Sequence, residues 1–307
     1  MRITKSIINL TTRALSESMD TRSMTHLARD LMGSYNLYER IGLPESLPIA
    51  GRIAAAQIMT DIVEQNLFLT LIQKLIDIQY NGYMGKQYTI TNLREIIQSI
   101  SEQGFLFERE HRIFVEDPRV RRTPNWGTLR EGEEYLFSFI QLDVAGSSEL
   151  VRNYPQETVQ ETYRDLRTIV RNAIDKRNGR TWSINGDGML IAFHFGDKNL
   201  LATLSAMEIV HELFIYNRTG CRLSEPIEVR IAVHSGTCEY SENMEEIKNS
   251  ETIKRVTEME GNYTKPGTAT ISHVVLVTLD TSIAGQFQPI ATQGRTEYYS
   301  YEIRWEK

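Results

Sequence analysis

The sequence predicts an α+β protein, with a mainly helical N-terminal domain followed by a mostly antiparallel sheet with helices packed on it. Three observations carry that prediction. Over residues 1–116 the apolar residues recur mostly at helical spacing. From 133 onward, apolar runs alternate with amphipathic stretches in the order strand, helix, hairpin, helix, strand. Between the two lies "DPRVRRTPNWGTLREG" (117–132), which has two prolines, two glycines and no periodicity, and reads as a linker. The expected domains are therefore 1–116 and 133–307.

In the first domain, "GRIAAAQIMTDIVEQNLFLTLIQKLIDIQ" (51–79) places Ile58, Ile62, Leu69, Ile72 and Ile76 near helical spacing. It contains no internal Gly or Pro, so one long helix is expected, ended by Asn81-Gly82. A short helix with Leu93, Ile96, Ile97 and Ile100 stops at Gly104. Two short strands follow, around 105–107 and 112–115. Helix followed by hairpin is a winged-helix-like pattern, but a small regulatory or dimerisation module reads the same residues. The acidic hairpin argues against contact with nucleic-acid phosphates.

In the second domain, "YLFSFIQLDV" (135–144) reads as a strand. A helix follows, with Pro155 suited to its first turn and Gly179 to its end. Val159, Tyr163, Leu166, Val170 and Ile174 form its apolar stripe. "RTWSINGDGMLIAFHF" (180–195) is a hairpin around Asn-Gly-Asp-Gly. A second amphipathic helix, a strand over 227–240, a helix near 246–260 and short strands at 268–272 and 296–305 complete the pattern. Helices are expected on one face of this sheet.

Composition narrows the function classes. Lys and Arg number 34 against 40 Asp and Glu, a net charge of −6, so no broad cationic surface for nucleic acid is expected. Two cysteines, Cys221 and Cys238, do not make a disulfide framework, which favours a reducing compartment. The first eighteen residues lack the apolar core of a signal peptide, and no apolar run is long enough for a membrane span. A cytoplasmic protein with no membrane partner is the expectation.

The chemistry enters with Asp143, a carboxylate inside the apolar run "FIQLDVAGSSELV". An unpaired charge there costs several kcal/mol. Asp187 sits in the hairpin turn, on what should be the neighbouring strand. Two acids side by side repel unless a cation lies between them. Hard divalent cations bind carboxylate and phosphate oxygens together, which points to phosphoryl chemistry with two ions, Mg²⁺ or Mn²⁺. The main-chain carbonyl of Val144 is a further candidate ligand. Gly146 and Ser147, in the turn that follows, can offer backbone amides to a polyphosphate. Neither a Walker-type nor a dinucleotide-binding glycine pattern is present.

"FIQLDVAGSSELV", "WSINGDGMLIAF", "EVRIAVHSGTC" and "KPGTATIS", in that order, resemble the core of class III nucleotidyl cyclases over about 134–305. The resemblance implies a ferredoxin-like, palm-type fold. It implies closure of a nucleoside triphosphate to a 3′,5′-cyclic nucleotide and pyrophosphate, with divalent ions on Asp143 and Asp187. It also implies a head-to-tail homodimer with shared sites, and a triphosphate-binding role for Arg295 in "TQGRTEYYSY". The family's base-reading Lys falls at Ser183. Its helix Asn and Arg fall at Arg255 and Met259, so Arg255 becomes the candidate catalytic cation. Loss of the purine readers alongside the two acids is similar to the pyrimidine-cyclase branch of bacterial anti-phage signalling (Pycsar). A pyrimidine substrate is therefore expected, UTP ahead of CTP. An enzyme making cyclic AMP, and an inactive nucleotide-binding homologue, are the alternatives this reading leaves open.

Overall fold

The computed structural model describes residues 3–108, 112–120, 123–290 and 297–303. The chain divides into two compact units, Met1–Thr128 and Leu129–Lys307.

The first unit contains six helices among its described residues: α1 (Lys5–Ser18), α2 (Thr21–Met32), α3 (Leu37–Ile41), α4 (Gly51–Glu64), α5 (Phe68–Asn81) and α6 (Leu93–Ser101). A hairpin of β1 (Phe105–Glu108) and β2 (Ile113–Glu116) follows. The caps follow local chemistry. Asp20 accepts from the Ser23 N–H at 2.8 Å at the start of α2, and Thr4 caps α1. The expected long helix over 51–79 is two helices. Asn66 adopts a left-handed φ of 58°, and the Leu67 N–H turns back to the Ile62 carbonyl at 2.9 Å. Asparagine tolerates that conformation, so the helix ends without glycine or proline. Trp126, within the stretch expected to be a linker, is fully buried in this unit, and its carbonyl accepts from the Glu116 N–H.

The second unit runs β3 (Glu134–Val144), α7 (Ser147–Asn153), α8 (Gln156–Asp175), β4 (Arg180–Asn185), β5 (Gly188–Phe193), α9 (Lys198–Thr219) and β6 (Val229–Glu239). It continues with α10 (Met244–Ile247), α11 (Glu251–Tyr263), β7 (Thr268–Ser272), α12 (His273–Leu276), α13 (Thr281–Ala284), β8 (Gln288–Pro289) and β9 (Tyr298–Tyr301). The sheet order is β4-β5-β3-β6-β7-β9-β8. Among the described residues only the β6–β7 pairing is parallel. The first four strands, with α8 and α9 between them, give the ferredoxin-like order.

Strand alternation sorts the sheet's residues into two faces. Ile140, Leu142 and Val144 of β3 join Val229, Ile231 and Val233 of β6 in one core, packed against α8 and α9. The residues between them point to the opposite face. That face is not bare, contrary to the expectation of helices on one side only, because α11 lies on it. Thr252 of α11 donates to the Thr237 carbonyl at 2.5 Å. The approach is so close that a Cβ on Gly236 would lie 2.6 Å from the Thr252 hydroxyl oxygen.

Candidate active site

Both acids singled out from the sequence lie at one end of the sheet. Asp143 is the penultimate residue of β3, opposite Arg230 of β6. Asp187 follows Gly186 in the two-residue turn that joins β4 to β5. Gly186 supplies the positive φ, 65°, that such a tight turn requires. Gly188, next in sequence, lies against β3, where an added Cβ would be in van der Waals contact with Asp143 Oδ1 at 3.5 Å. The turn thus brings Asp187's backbone beside the end of β3.

The Val144 carbonyl has a definite direction. Its neighbour Ala145 donates to the Glu228 carbonyl at 2.9 Å, which makes Val144 and Val229 a non-hydrogen-bonded pair. The Val144 carbonyl therefore turns from β6 toward the β5 side, where pairing with β3 ends at Leu142–Met189. Gly146, with φ 68°, precedes α7, and a Cβ there would meet nothing within 4 Å. Ser147 begins that helix and is half-buried.

Asp187 Oδ2 is buried and has no hydrogen-bond partner. The Tyr163 hydroxyl, on α8, is buried and unpartnered as well. Burial raises the Tyr163 phenol above its ordinary value, and the charges of Asp187 and then Asp143 add to the effect. A buried carboxylate oxygen without a donor is costly, and it is the situation that a bound cation relieves. Two carboxylates and an outward-turned carbonyl are hard oxygen donors of the kind that Mg²⁺ or Mn²⁺ could take up. Among the described residues no group of three or more His, Cys, Asp or Glu side chains is arranged to hold a metal, so a site here depends on main-chain and ligand oxygens too.

Arg230 is the functional candidate that the sequence reading passed over. Its Nη2 donates to Asp143 Oδ2 at 2.7 Å, and its Nε lies 2.6 Å from Glu260 Oε1 on α11. Burial raises the Glu260 carboxyl above its usual range, and the charges of Asp143 and Asp187 push the same way against the pull of Arg230. Both residues left a signal in the sequence. Arg230 interrupts the apolar strand "EVRIAV", and Glu260 continues the stripe of Ile253 and Val256 on the buried side of α11.

Ser183 pairs with Leu190, which pairs with Gln141, so Ser183 lies on the Asp143 face. Simple alternation would send Trp182 to the other side. A β-bulge between Thr181 and Ser183 cancels that expectation. Trp182 instead packs on the Asp143 face against Phe137 and Phe139, with ring centroids 4.9 and 5.3 Å away. Arg255 is not brought to Asp143 within one chain. It pairs with Glu297 and lies 5.4 Å above the Tyr298 ring, in a cleft of about 440 Å³ that His234 and Ser272 also line. His234 is four residues along β6 from Arg230, roughly 13 Å at strand spacing. Its imidazole is pushed down to about 4 by burial, with help from the Arg255 charge. Arg295 lies outside the described residues.

No family model and no curated protein matches this chain. Among solved structures it is similar to the guanylyl cyclase domain of the RhoGC fusion protein from the aquatic fungus Blastocladiella emersonii. That match has 16% identity over 56% of this chain and 98% of the other, with a TM-score of 0.48. It is also similar to an adenylate/guanylate cyclase/hydrolase from Silicibacter pomeroyi, with 20% identity over 56% and 99% and a TM-score of 0.47. A third is the adenylyl cyclase CyaB from P. aeruginosa, with 14% identity over 56% and 96% and a TM-score of 0.45.

Proposed function

We propose that the second unit is a nucleotidyl cyclase that converts a pyrimidine nucleoside triphosphate, UTP ahead of CTP, to the 3′,5′-cyclic nucleotide and pyrophosphate. The observation that carries this reading is the buried, unpartnered Asp187 Oδ2 at a turn set against Asp143. Asp143, Asp187 and the Val144 carbonyl would hold two divalent ions, Mg²⁺ or Mn²⁺. When bound, these ions supply positive charge to the triphosphate and lower the pKa of the ribose 3′-hydroxyl.

The chain's own residues do the rest. The backbone amides of Ser147 and Ser148, in the first turn after Gly146, would face the polyphosphate oxygens. Arg230 carries guanidinium donors to the same place, and a fixed cation there stabilises charge growing on the departing pyrophosphate. In the reaction the 3′-oxygen bonds to the α-phosphorus, the bond from that phosphorus to the oxygen bridging to the β-phosphate breaks, pyrophosphate leaves with the electron pair, and the hydroxyl proton passes to solvent water. On this reading Arg295 binds triphosphate and Arg255 acts from the partner chain of a head-to-tail homodimer. The separation of Arg255 from Asp143 in one chain is what a shared site requires. Ser183, where a purine-reading Lys would stand, and Trp182 filling space beside it favour the smaller base. A role in anti-phage signalling belongs to the same proposal.

The test is incubation of the protein with Mn²⁺ and each of the four ribonucleoside triphosphates, with pyrophosphate and cyclic product measured. Cyclic UMP is the expected product. No product from any of the four would overturn the enzyme reading, and preferential turnover of ATP would replace the pyrimidine assignment with cyclic AMP synthesis. Specific activity should fall on dilution, and full activity in a verified monomer would remove the shared site.

A further inference from the structure

We infer that Glu260 is a positioning residue for the triphosphate, acting through Arg230. The inference rests on the function proposed above and goes on to ask what holds its cation in place. Arg230 is shared between two carboxylates. Among the described residues its one hydrogen bond to a carboxylate is Nη2 to Asp143, while its Nε faces Glu260 at 2.6 Å without the alignment of a hydrogen bond. Arg230 and Asp143 retain 29% and 27% side-chain exposure, whereas Glu260 retains only 9%. Glu260 is therefore the fixed end of the trio, buried in the α11 interface, and Asp143 is the end open to ligand.

The two ends respond differently to a divalent cation. A cation taken up by Asp143 removes the charge that holds Nη2 and repels the guanidinium. Without a second partner a long arginine side chain would then disperse into solvent, since holding it still costs rotamer entropy. Glu260 prevents this by keeping a negative charge at Nε. The forked Nη edge is then available to phosphate oxygens, which a guanidinium binds in bidentate fashion. A buried acid is an expensive tether, and removing one partner of a buried pair is costly, so the arrangement resists drift. In the empty site Arg230 stands in as the countercharge of Asp143, and in the loaded site it faces the nucleotide.

The test uses the full-length protein with the substitutions Glu260→Gln, Glu260→Asp and Arg230→Gln, and the double substitution E260Q/R230Q. KM and kcat are measured with Mn²⁺ and whichever triphosphate the wild type turns over best. Mn²⁺ binding without nucleotide is followed by electron paramagnetic resonance. Glu260→Gln should raise KM about tenfold, a loss of about 1.4 kcal/mol in binding, with a smaller change in kcat. Charge removal alone predicts the opposite, because deleting a negative group near a triphosphate lowers KM. The same substitution should weaken Mn²⁺ binding, since Arg230 released from Glu260 competes for Asp143 alone. In the Arg230→Gln background, Glu260→Gln should add little to KM. An unchanged or lowered KM in Glu260→Gln overturns the inference. So does a full-size effect that persists without Arg230. If Glu260→Gln fails to fold, Glu260→Asp carries the test, because it keeps the charge but loses reach, and a wild-type KM there refutes positioning. Failure of the wild type to turn over any triphosphate would sink the proposed function instead, and the Mn²⁺ measurement would still decide whether Glu260 governs the Arg230–Asp143 contact.

Discussion

Each unit of this protein contains a buried carboxylate oxygen, and their surroundings are opposite. In the first unit Asp61 is 1% exposed and fully engaged. Tyr35 donates to its Oδ2 at 2.6 Å, Gln57 to its Oδ1 at 3.0 Å, and the Arg40 guanidinium pairs with Oδ1 through Nε at 3.0 Å and through Nη2. In the second unit Asp187 Oδ2 is buried with no donor at all. The same functional group ties α3 and α4 together in one place and in the other is left without a donor, which is where the proposed function puts a cation. The difference teaches how to separate a structural charge from a ligand-binding one. A structural carboxylate has its donors in the chain, whereas a binding carboxylate is placed where only something from outside can satisfy it.

The comparison breaks most sharply at Asp187. Asp187→Asn should reduce cyclic nucleotide formation at least about a hundredfold, about 2.7 kcal/mol in the barrier, while thermal stability stays level or rises. Paired activity and melting measurements decide this, and a variant that loses activity only because it unfolds would erase the distinction. Asp61→Ala should do the reverse in kind. It strands the Tyr35 hydroxyl and costs about 2–3 kcal/mol of stability, read by denaturant titration. Arg40 is 48% exposed, so solvent recovers part of its loss and the cost stays below that of a fully buried pair.

Acid should separate the units further. Burial tends to raise the Asp61 carboxyl, but the Arg40, Tyr35 and Gln57 hydrogen bonds outweigh it and hold it below its ordinary value of 3.8. The stability it contributes is present above that value and is lost only as pH falls below it. His234 behaves differently, because its folded value near 4 lies below the ordinary 6.5. Unfolding takes up a proton between those values, so the second unit loses stability as pH drops from about 6.5 toward 4. Denaturant curves at pH 7 and pH 4.5 should show the loss in the second unit first, and His234→Gln should flatten it. Equal sensitivity of both units would contradict the contrast. The smallest effect belongs to Gly236→Ala, which crowds Thr252 and should cost about 1–3 kcal/mol, visible as loosened protection of α11 in hydrogen exchange.

Much of the second unit could be read from the chain alone, for a physical reason. Its long strands β3 and β6 alternate, its helix α8 carries a continuous stripe, and Gly186 and Gly188 mark the hairpin turn. The short strand at 268–272 emerges with the expected limits. Asp143 was conspicuous because a charge in an apolar strand demands an explanation. What stayed hidden depends on spatial neighbours. The break at Asn66 needs only a tolerated left-handed residue, which no glycine or proline announces. The trio of Asp143, Arg230 and Glu260 is spread over 118 positions (260 − 143 + 1) and meets only because β6 pairs with β3 while α11 crosses their open face. Placing α11 on that face required knowing that Gly236 leaves room for Thr252.

The bulge in β4 has a consequence of its own. With one extra residue between Thr181 and Ser183, the tryptophan and the serine share a face that ordinary pleating would divide between them. Chain length has therefore become a variable equivalent to side-chain identity along this outer strand. Deleting a single residue there would swap the group presented beside Asp143 and move Trp182 off Phe137 and Phe139, with the pairing of β3 to β5 and β6 unchanged. Among descendants of such a domain, insertions and deletions in this one strand would be a short route to new ligand preferences, and position-by-position comparison of sequences would misread them as substitutions.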